Sequence, residues 1–371
     1  MLAAVQLQIG FATAVDGRMD QIVGNLATVR PTFMAGPPRI FEKVHAKVVQ
    51  TVQEERGLRL RLFTWAFRVG DQVARARREG RRPSRAAQLQ YPLADRLVLS
   101  KVRSRLGGRI RFLVSGSAAL SEDVVAWFHA AGLVLVEGYA LTETSGGCCI
   151  GHPEHPTFGV VGPPLVGSEI KIADDGESLV RGPLVMRGYH NLPEQTAEVL
   201  LAEGWLATGD VGELDAAGRL RITDRKKDLI KTSGGKYIAP QPIEVMLKGI
   251  CPLVSQVLVH ADRRRYATAL ISLDPDALGQ WARAEGISPR DYASLAGHPA
   301  VHDQVRAGIE ELNGRLNRWE TIKDFRILDH DLSVAGDELT PSLKIRRKAI
   351  ESKYSRMLDS MYEESLEADR L

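Results

Sequence analysis

A strand–helix–strand pattern between residues 110 and 136 constrains the fold of this chain more than any other feature. Residues 110–114 and 133–136 have the apolar composition of buried strands. Between them, Ser121 precedes a helical pattern with Glu122 and Asp123 in its first turn, where acidic side chains favour a helix start. Two strands joined by one helix run parallel with a right-handed crossover. The sequence therefore predicts an α/β domain.

The segments that follow these two strands, residues 115–119 and 138–144, both contain glycine. In open α/β sheets the carboxyl ends of neighbouring strands meet at one edge, and ligands bind there. We therefore expect the two segments to border one ligand-binding crevice. The residues expected around it are Gly116, Tyr139, Thr142 and Glu143.

The pattern of elements changes along the 371 residues, a length that allows two or three domains. Residues 50–108 are helical and basic, and short strands between 159 and 223 predict a small β-barrel or a distorted sheet. From residue 225 onward an α+β pattern follows. We therefore predict an α/β plus α+β chain with a partial large N-terminal domain, 1–224, and a smaller mobile C-terminal domain, 225–371.

Three local predictions can be checked directly. Residues 184–187 are predicted as a strand, and the helix beginning near Arg347 is expected to become polar and fray. An apolar stripe at helical spacing predicts a buried core helix. Its members are Val301, Val305, Ile309, Leu312, Leu316 and Trp319.

Composition excludes several classes of protein. A net charge of +3 is too small to indicate nucleic-acid binding. The three cysteines, two of them adjacent, form neither a disulfide framework nor a metal-ligand spacing, so we expect a cytoplasmic setting. Six arginines lie between residues 75 and 85; they are either an exposed helix end or a contact for anionic lipid headgroups at the inner face of the membrane, or for a nucleotide tail. The oligomeric state is not predicted.

The stretch 204–236 combines an aspartate, a dense charge run and a glycine pair. Six of the eight residues from 221 to 228 are charged, which is typical of a solvated surface. The change of pattern at this point instead favours a hinge between two domains. Asp210 precedes the run, and Gly234 and Gly235 follow it.

Five segments occur in a fixed order and together resemble the adenylate-forming superfamily, specifically the long-chain fatty acyl-CoA synthetases. They are Ser115-Gly-Ser-Ala-Ala, Gly138-Tyr-Ala-Leu-Thr-Glu, Gly204-Trp-Leu-Ala-Thr-Gly-Asp, Asp224-Arg-Lys-Lys-Asp-Leu-Ile-Lys and Thr340-Pro-Ser-Leu-Lys. The resemblance implies that Mg²⁺-ATP activates a long-chain fatty acid as an acyl-adenylate, and that the acyl group then passes to coenzyme A. ATP, Mg²⁺, coenzyme A and the fatty acid are the implied ligands.

The resemblance also implies roles for residues in the first domain. Glu143 resembles the Mg²⁺ ligand, and Thr142 a phosphate-contacting hydroxyl, although a turn-capping threonine is the simpler interpretation. Tyr139 resembles the adenine-stacking ring, and Asp210 the aspartate that binds the ribose. The segments implied to contact the nucleotide with backbone atoms comprise Ser115, Gly116, Ser117 and Gly138.

The remaining implied roles fall on the second domain. Arg225 resembles a ribose contact, Lys227 the hinge residue, and Lys344 the lysine that reaches the carboxylate and α-phosphate during adenylation. Without the resemblance, Arg225 and Lys344 would be interpreted as surface residues. Gly234 and Gly235 are implied to border the thiol path of coenzyme A.

Two departures from the family pattern qualify these implications. Residues 1–109 contain no Ser/Thr/Gly-rich phosphate loop, and Ala140 stands where the family usually has glycine. We therefore expect an N-terminally truncated synthetase with weak or no activity alone. The alternatives are a fragment that binds nucleotide or complements a separate N-terminal piece, and a fatty acyl-AMP ligase that loads a carrier protein.

Overall fold

The structure of this chain is a computed structural model that describes residues 22–53, 57–288, 291–340 and 343–368. It divides into two compact units, one ending at Thr223 and the other beginning at Asp224. The first mixes helices with two sheets, and the second is a smaller α+β unit. The predicted α/β plus α+β class is confirmed.

A four-stranded sheet forms the centre of the first unit. Its strands are β1 (Phe33–Gly36), β2 (Phe112–Ser115), β3 (Leu135–Leu141) and β4 (Gly146–Ile150), in the order β1-β2-β3-β4. Strands β2 and β3 are parallel, as predicted, and β1 is also parallel to β2. Val114 lies opposite both Ala35 and Val136. Their carboxyl ends therefore lie at one edge of the sheet.

Six α-helices of the described residues precede or connect these strands. They are α1 (Ile22–Val29), α2 (Pro38–Gln53), α3 (Leu58–Arg78), α4 (Arg85–Ala94), α5 (Ser100–Arg105) and α6 (Glu122–Ala130). Phe41 of α2 and Phe128 of α6 are fully buried and meet edge to face, with ring centroids 5.8 Å apart. Ser121 occupies the N-cap position of α6, but its hydroxyl makes no capping hydrogen bond.

Strand β3 is longer than the sequence predicted. The segment from Gly138 was expected to leave the sheet as a loop, but β3 continues to Leu141. Beyond the parallel part it pairs antiparallel with β4, with Tyr139 opposite Cys149. The backbone groups of this segment are therefore satisfied by a strand that lies later in the sequence.

Four strands form a second sheet in the region predicted as a small barrel or distorted sheet; it belongs to the first unit except for its last two residues, Asp224 and Arg225. They are β5 (Glu169–Ile172), β6 (Glu177–Arg181), β7 (Trp205–Leu214) and β8 (Leu220–Arg225), in the order β5-β6-β7-β8, and helix α7 (Pro193–Val199) precedes β7. The pairing of β6 with β7 shifts register between Glu177 and Leu179. Strands β5 and β8 stand at the two ends of this order.

The strand predicted at residues 184–187 is wrong. Pro183 follows Gly182, and the Val185 N–H donates to the Gly182 carbonyl, which closes a turn. The next amide, Met186 N–H, donates to the Glu143 carbonyl. Because these donors are used in a turn and a loop contact, the segment has no strand ladder.

The second unit contains a three-stranded sheet flanked by helices. Its strands are β11 (Val254–His260), β12 (Ala267–Leu273) and β13 (Ile322–Ile327), and a short pair comprises β9 (Ile230–Lys231) and β10 (Tyr237–Ile238). The helices are α8 (Pro240–Ile250), α9 (Pro275–Ala284), α10 (Tyr292–Ala296), α11 (Pro299–Asn313), α12 (Arg347–Lys353) and α13 (Ser355–Ala368). Strand β12 is antiparallel to β11 and parallel to β13.

The apolar stripe of α11 is buried as far as Leu312, but its last member is not. Helix α11 ends at Asn313, whose side-chain amide donates to the Ile322 carbonyl and accepts from the Ile322 N–H. This pair of bonds turns the chain into β13 and leaves Trp319 43% exposed. The prediction that Trp319 belongs to the core is therefore wrong.

The last helix, α13, is packed against the sheet of the second unit. Leu358 and Met361 of α13 are buried against Leu258 and Leu270, so the expected fraying does not occur at these residues.

Four arginines of the basic cluster in the first unit contact other side chains. Arg75 pairs with Asp71 and Arg81 with Glu79, while Arg77 and Arg78 lie over the rings of Tyr91 and Phe158. Within the described ranges, no helix is long and apolar enough to cross a membrane.

Candidate functional site

The carboxyl edge of β1, β2 and β3 has closely approaching backbones. The Gly116 N–H donates to the Gly36 carbonyl over 3.2 Å. A Cβ added to Gly116 would lie 3.2 Å from the Gly138 carbonyl oxygen, which is tighter than an ordinary contact. The next residue, Ser117, has a φ of +75°, a left-handed conformation that few side chains adopt. The edge is therefore shaped by glycine at the position where the sequence predicted it.

Tyr139 and Asp210 meet in this unit although 71 residues separate them. The Tyr139 hydroxyl donates to Asp210 Oδ2 over 2.6 Å, and the two residues are only 9% and 5% exposed. Burial, followed by the nearby Asp210 charge, raises the pKa of Tyr139. The phenol therefore stays protonated and acts as a donor to the carboxylate.

The irregular part of β7 just before Asp210 is fixed by side-chain hydrogen bonds. The Thr208 hydroxyl donates to the Ser178 carbonyl over 2.7 Å and accepts from the Asp210 N–H over 3.1 Å. Glu177 Oε1 accepts from the Gly209 N–H over 2.7 Å. These bonds connect β6 to β7 and hold the backbone from which the Asp210 carboxylate projects.

Glu143 lies in a single 3-10 turn, residues 142–144, directly after β3. Its Oε1 accepts from the Tyr189 hydroxyl over 2.9 Å. The Thr144 hydroxyl, fully buried, accepts from the Leu141 N–H and donates to the Gly146 carbonyl, so it shapes this turn. Thr142, by contrast, is exposed at the surface of the turn. Tyr189 also lines an open groove with Leu192 and Thr196.

Glu143 offers one carboxylate as a possible ligand for Mg²⁺. Across the described part of the chain, no group of three or more His, Cys, Asp or Glu side chains could hold a metal ion. Mg²⁺ in nucleotide-dependent sites is typically bound by one or two carboxylates, with phosphate oxygens and water completing its shell. The single carboxylate of Glu143 fits this pattern of Mg²⁺ binding.

Two buried polar side chains beside this edge were not predicted as a pair. Ser115 of β2 lies opposite Glu137 of β3, and both are buried. Ser115 Oγ and Glu137 Oε1 have no hydrogen-bond partner among the described residues. Burial raises the pKa of Glu137 to about 7, which the amides of Leu120 and Gly159 oppose only in part.

The other predicted residues lie in the second unit. Arg225 and Lys227 are exposed, and so is Lys344, which lies in the loop before α12. An added Cβ at Gly234 or Gly235 would meet no described atom within 4 Å. The implied roles of these residues stay predictions.

Asp224, which sequence analysis did not single out, is buried next to Arg225. Its Oδ1 accepts from the Arg225 N–H over 2.6 Å and its Oδ2 from the Gln241 N–H over 3.1 Å. The second bond occupies the amino terminus of α8. Burial raises the pKa of Asp224 to about 6. The carboxylate thus links the backbone at Arg225, within the charged segment 221–228, to the start of α8.

Family comparison agrees with these features. The family described as AMP-binding enzyme matches residues 4–190, and the AMP-binding enzyme C-terminal domain matches residues 227–366. The structure aligns with the adenylation domain of a carboxylate reductase from Mycobacterium chelonae, with a TM-score of 0.67 and 21% identity over 93% of this chain and 48% of that one. The chain belongs to the AMP-binding enzyme family.

Three similar relatives are named as a putative fatty-acid–CoA ligase, a long-chain-fatty-acid–CoA ligase and a long chain acyl-CoA synthetase. FadD11 of Mycobacterium tuberculosis is 39% identical over 98% of this chain and 64% of its own length. FadD15 of Mycobacterium bovis, a long-chain-fatty-acid–CoA ligase, is 35% identical over 96% and 58%. The peroxisomal long chain acyl-CoA synthetase 6 of Arabidopsis thaliana is 34% identical over 96% and 52%. The chain thus spans less than two thirds of the length of these relatives.

Because the pKa of Glu137 is raised, we expect the free energy of unfolding to depend on pH. The neutral carboxyl is favoured in the fold, so its contribution is fully present below the ordinary pKa of 4.5 and is lost as pH rises through about 7. A shift of this size corresponds to about 3 kcal/mol. Urea unfolding should show wild type losing stability between pH 5 and 8.5, whereas Glu137→Gln should lose much less. Equal losses in both proteins would contradict the prediction.

Proposed function

We propose that this chain carries the nucleotide site and hinge of a long-chain fatty-acid–CoA ligase. The observation that supports it most is the buried Tyr139–Asp210 hydrogen bond at the edge where Gly116 and Gly138 approach. A carboxylate fixed in this way can accept from both ribose hydroxyls, and an aromatic ring beside it suits a purine. The names of the relatives support the substrate class.

In the first proposed step, a fatty-acid carboxylate oxygen attacks the α-phosphorus of ATP. An oxygen–phosphorus bond forms, the bond to the β-phosphate breaks, and pyrophosphate leaves. Because the reacting groups are anions, the site must supply fixed positive charge. Lys344 would supply it, the Thr142 hydroxyl would contact phosphate, and Glu143 would hold Mg²⁺. The metal would neutralise phosphate charge when bound.

In the second proposed step, the coenzyme A sulfur attacks the acyl carbonyl carbon of the adenylate. A thioester forms, the thiol proton is released, and AMP leaves. The lysine that serves the first step must make room for the thiol, so the second unit would rotate about Lys227. Asp224 would keep the start of the charge run attached to α8 during that movement, and Arg225 would contribute a ribose contact. Gly234 and Gly235 would border the thiol path.

AMP release from Mg²⁺-ATP, palmitate and coenzyme A tests this function. If the chain releases AMP above background, Lys344→Ala should lower that rate by about 10²–10³-fold, because a transition-state contact to the phosphate is lost. Lys348→Ala, which removes another exposed lysine a few residues away on α12, should leave the rate unchanged. A rate insensitive to Lys344→Ala would contradict the role of this residue.

The same assay separates the alternatives. Release that requires a carrier protein instead of coenzyme A would identify an acyl-AMP ligase. Background release with retained AMP binding would identify the impaired fragment.

AMP affinity, measured by calorimetry, tests the nucleotide site without turnover. Asp210→Asn removes the charge and one acceptor from the ribose contact, so affinity should fall by about ten- to hundredfold, the usual effect of losing a hydrogen bond to a charged group. Asp174→Ala, at an exposed turn after β5, should bind AMP like wild type. Unchanged affinity in Asp210→Asn would exclude Asp210 from the site.

A further inference from the structure

Lys344 lies in a small loop whose two ends are hydrogen-bonded to each other. Leu339 and Ile345 form an antiparallel bridge, and the Arg346 N–H donates to the Glu338 carbonyl over 2.8 Å. Inside the loop, the Thr340 N–H donates to the Lys344 carbonyl over 2.8 Å, and the Lys344 N–H donates to the Thr340 hydroxyl over 3.0 Å. Any movement of Glu338 would therefore be passed to the backbone that carries Lys344.

Glu338 anchors the base of this loop with a buried side chain. The residue is 1% exposed, and its Oε1 accepts from the Lys353 ammonium over 2.7 Å and from the Tyr354 hydroxyl over 2.6 Å. His330 Nε2 lies 3.1 Å from the same oxygen, and Oε2 accepts from the Ser333 N–H over 3.0 Å. The carboxylate thus connects the loop to the turn after β13 and to the junction of α12 and α13.

This arrangement keeps Glu338 charged. Burial by itself raises the pKa of a carboxyl, but the hydrogen bonds from Lys353, Tyr354 and His330 outweigh that effect and lower the pKa of Glu338 to about 2. A buried carboxylate is costly unless donors satisfy it, and here every named partner can donate. The closeness of the packing is evident at Gly336, where an added Cβ would lie 2.5 Å from Glu338 Oε2.

We propose that Glu338 is a positioning residue for Lys344. Its carboxylate ties the base of the segment that carries Lys344 to the turn 329–333 and to the α12–α13 junction, and so holds the lysine where adenylation requires it. The inference rests on the proposed function of Lys344. The competing explanation is that Glu338 has a purely structural role. In that case, its substitution would impair the whole unit and both half-reactions.

Glu338→Gln is the most informative substitution. It keeps the shape of the side chain, but an amide presents only one acceptor oxygen to a set of donors. Tyr354→Phe removes a single donor and should give a smaller effect. Glu351→Gln is the matched control, because Glu351 lies on α12 and its carboxylate contacts His260 instead of the loop.

Two half-reactions measured separately test the proposal. Adenylation is followed as pyrophosphate–ATP exchange with palmitate, and thioester formation is followed from supplied palmitoyl-adenylate and coenzyme A. Glu338→Gln should lower kcat of adenylation about ten- to hundredfold, the scale of a misplacement of about 1 Å, with KM for ATP little changed. Thioester formation should be unchanged. An equal loss in both half-reactions, or none in adenylation, would overturn the proposal.

Amide hydrogen exchange tests the anchoring without turnover. In Glu338→Gln, the Lys344 and Arg346 amides should exchange at least tenfold faster, while amides of β11 and β12 keep wild-type rates. Unchanged exchange in the loop would overturn the inference by itself. Loss of adenylation in Glu338→Gln but not in Lys344→Ala would instead contradict the proposed function of Lys344, so the two failures are distinguishable.

Discussion

The hydrogen bond from the Tyr139 hydroxyl to the Asp210 carboxylate is the interaction on which the candidate site depends. It joins β3 of the parallel sheet to β7 of the second sheet, so it fixes a ring and a charge from different layers at one place. Both side chains are nearly excluded from water, where a hydrogen bond to a charged acceptor contributes about 1.5–3 kcal/mol. The hydrogen bond therefore holds the two sheets together at this point.

The second unit uses buried carboxylates for a similar purpose. Asp224 connects the backbone at Arg225 to α8, and Glu338 connects the base of the Lys344 loop to the α12–α13 junction. Each carboxylate accepts at least one hydrogen bond from a neighbouring helix or helix junction. Arg225 and Lys344 are the exposed residues expected to contact the nucleotide. The backbone segments that carry them are thus fixed by hydrogen bonds to buried carboxylates. This arrangement would suit the rotation proposed for the second unit.

The sequence predicted what depends on local periodicity and missed what depends on distant pairing. Strand β2, the first part of β3 and helix α11 follow from apolar spacing, and the glycine-shaped edge follows from the topology of a parallel pair. The extension of β3 could not be predicted, because residues 138–141 resemble a loop until β4 pairs with them. The contact of Glu143 with Tyr189 and the anchoring of Glu338 join residues many positions apart, and no spacing rule indicates them.

A crystal structure of this chain bound to a non-hydrolysable palmitoyl-adenylate analogue tests the central claim most directly. Our account predicts that both ribose hydroxyls lie within hydrogen-bonding distance of Asp210, with the adenine against the Tyr139 ring and the backbone of Gly116 or Gly138. An analogue bound elsewhere, with the Tyr139–Asp210 pair facing only protein atoms, would contradict it. That result would reduce the pair to a structural contact between two sheets.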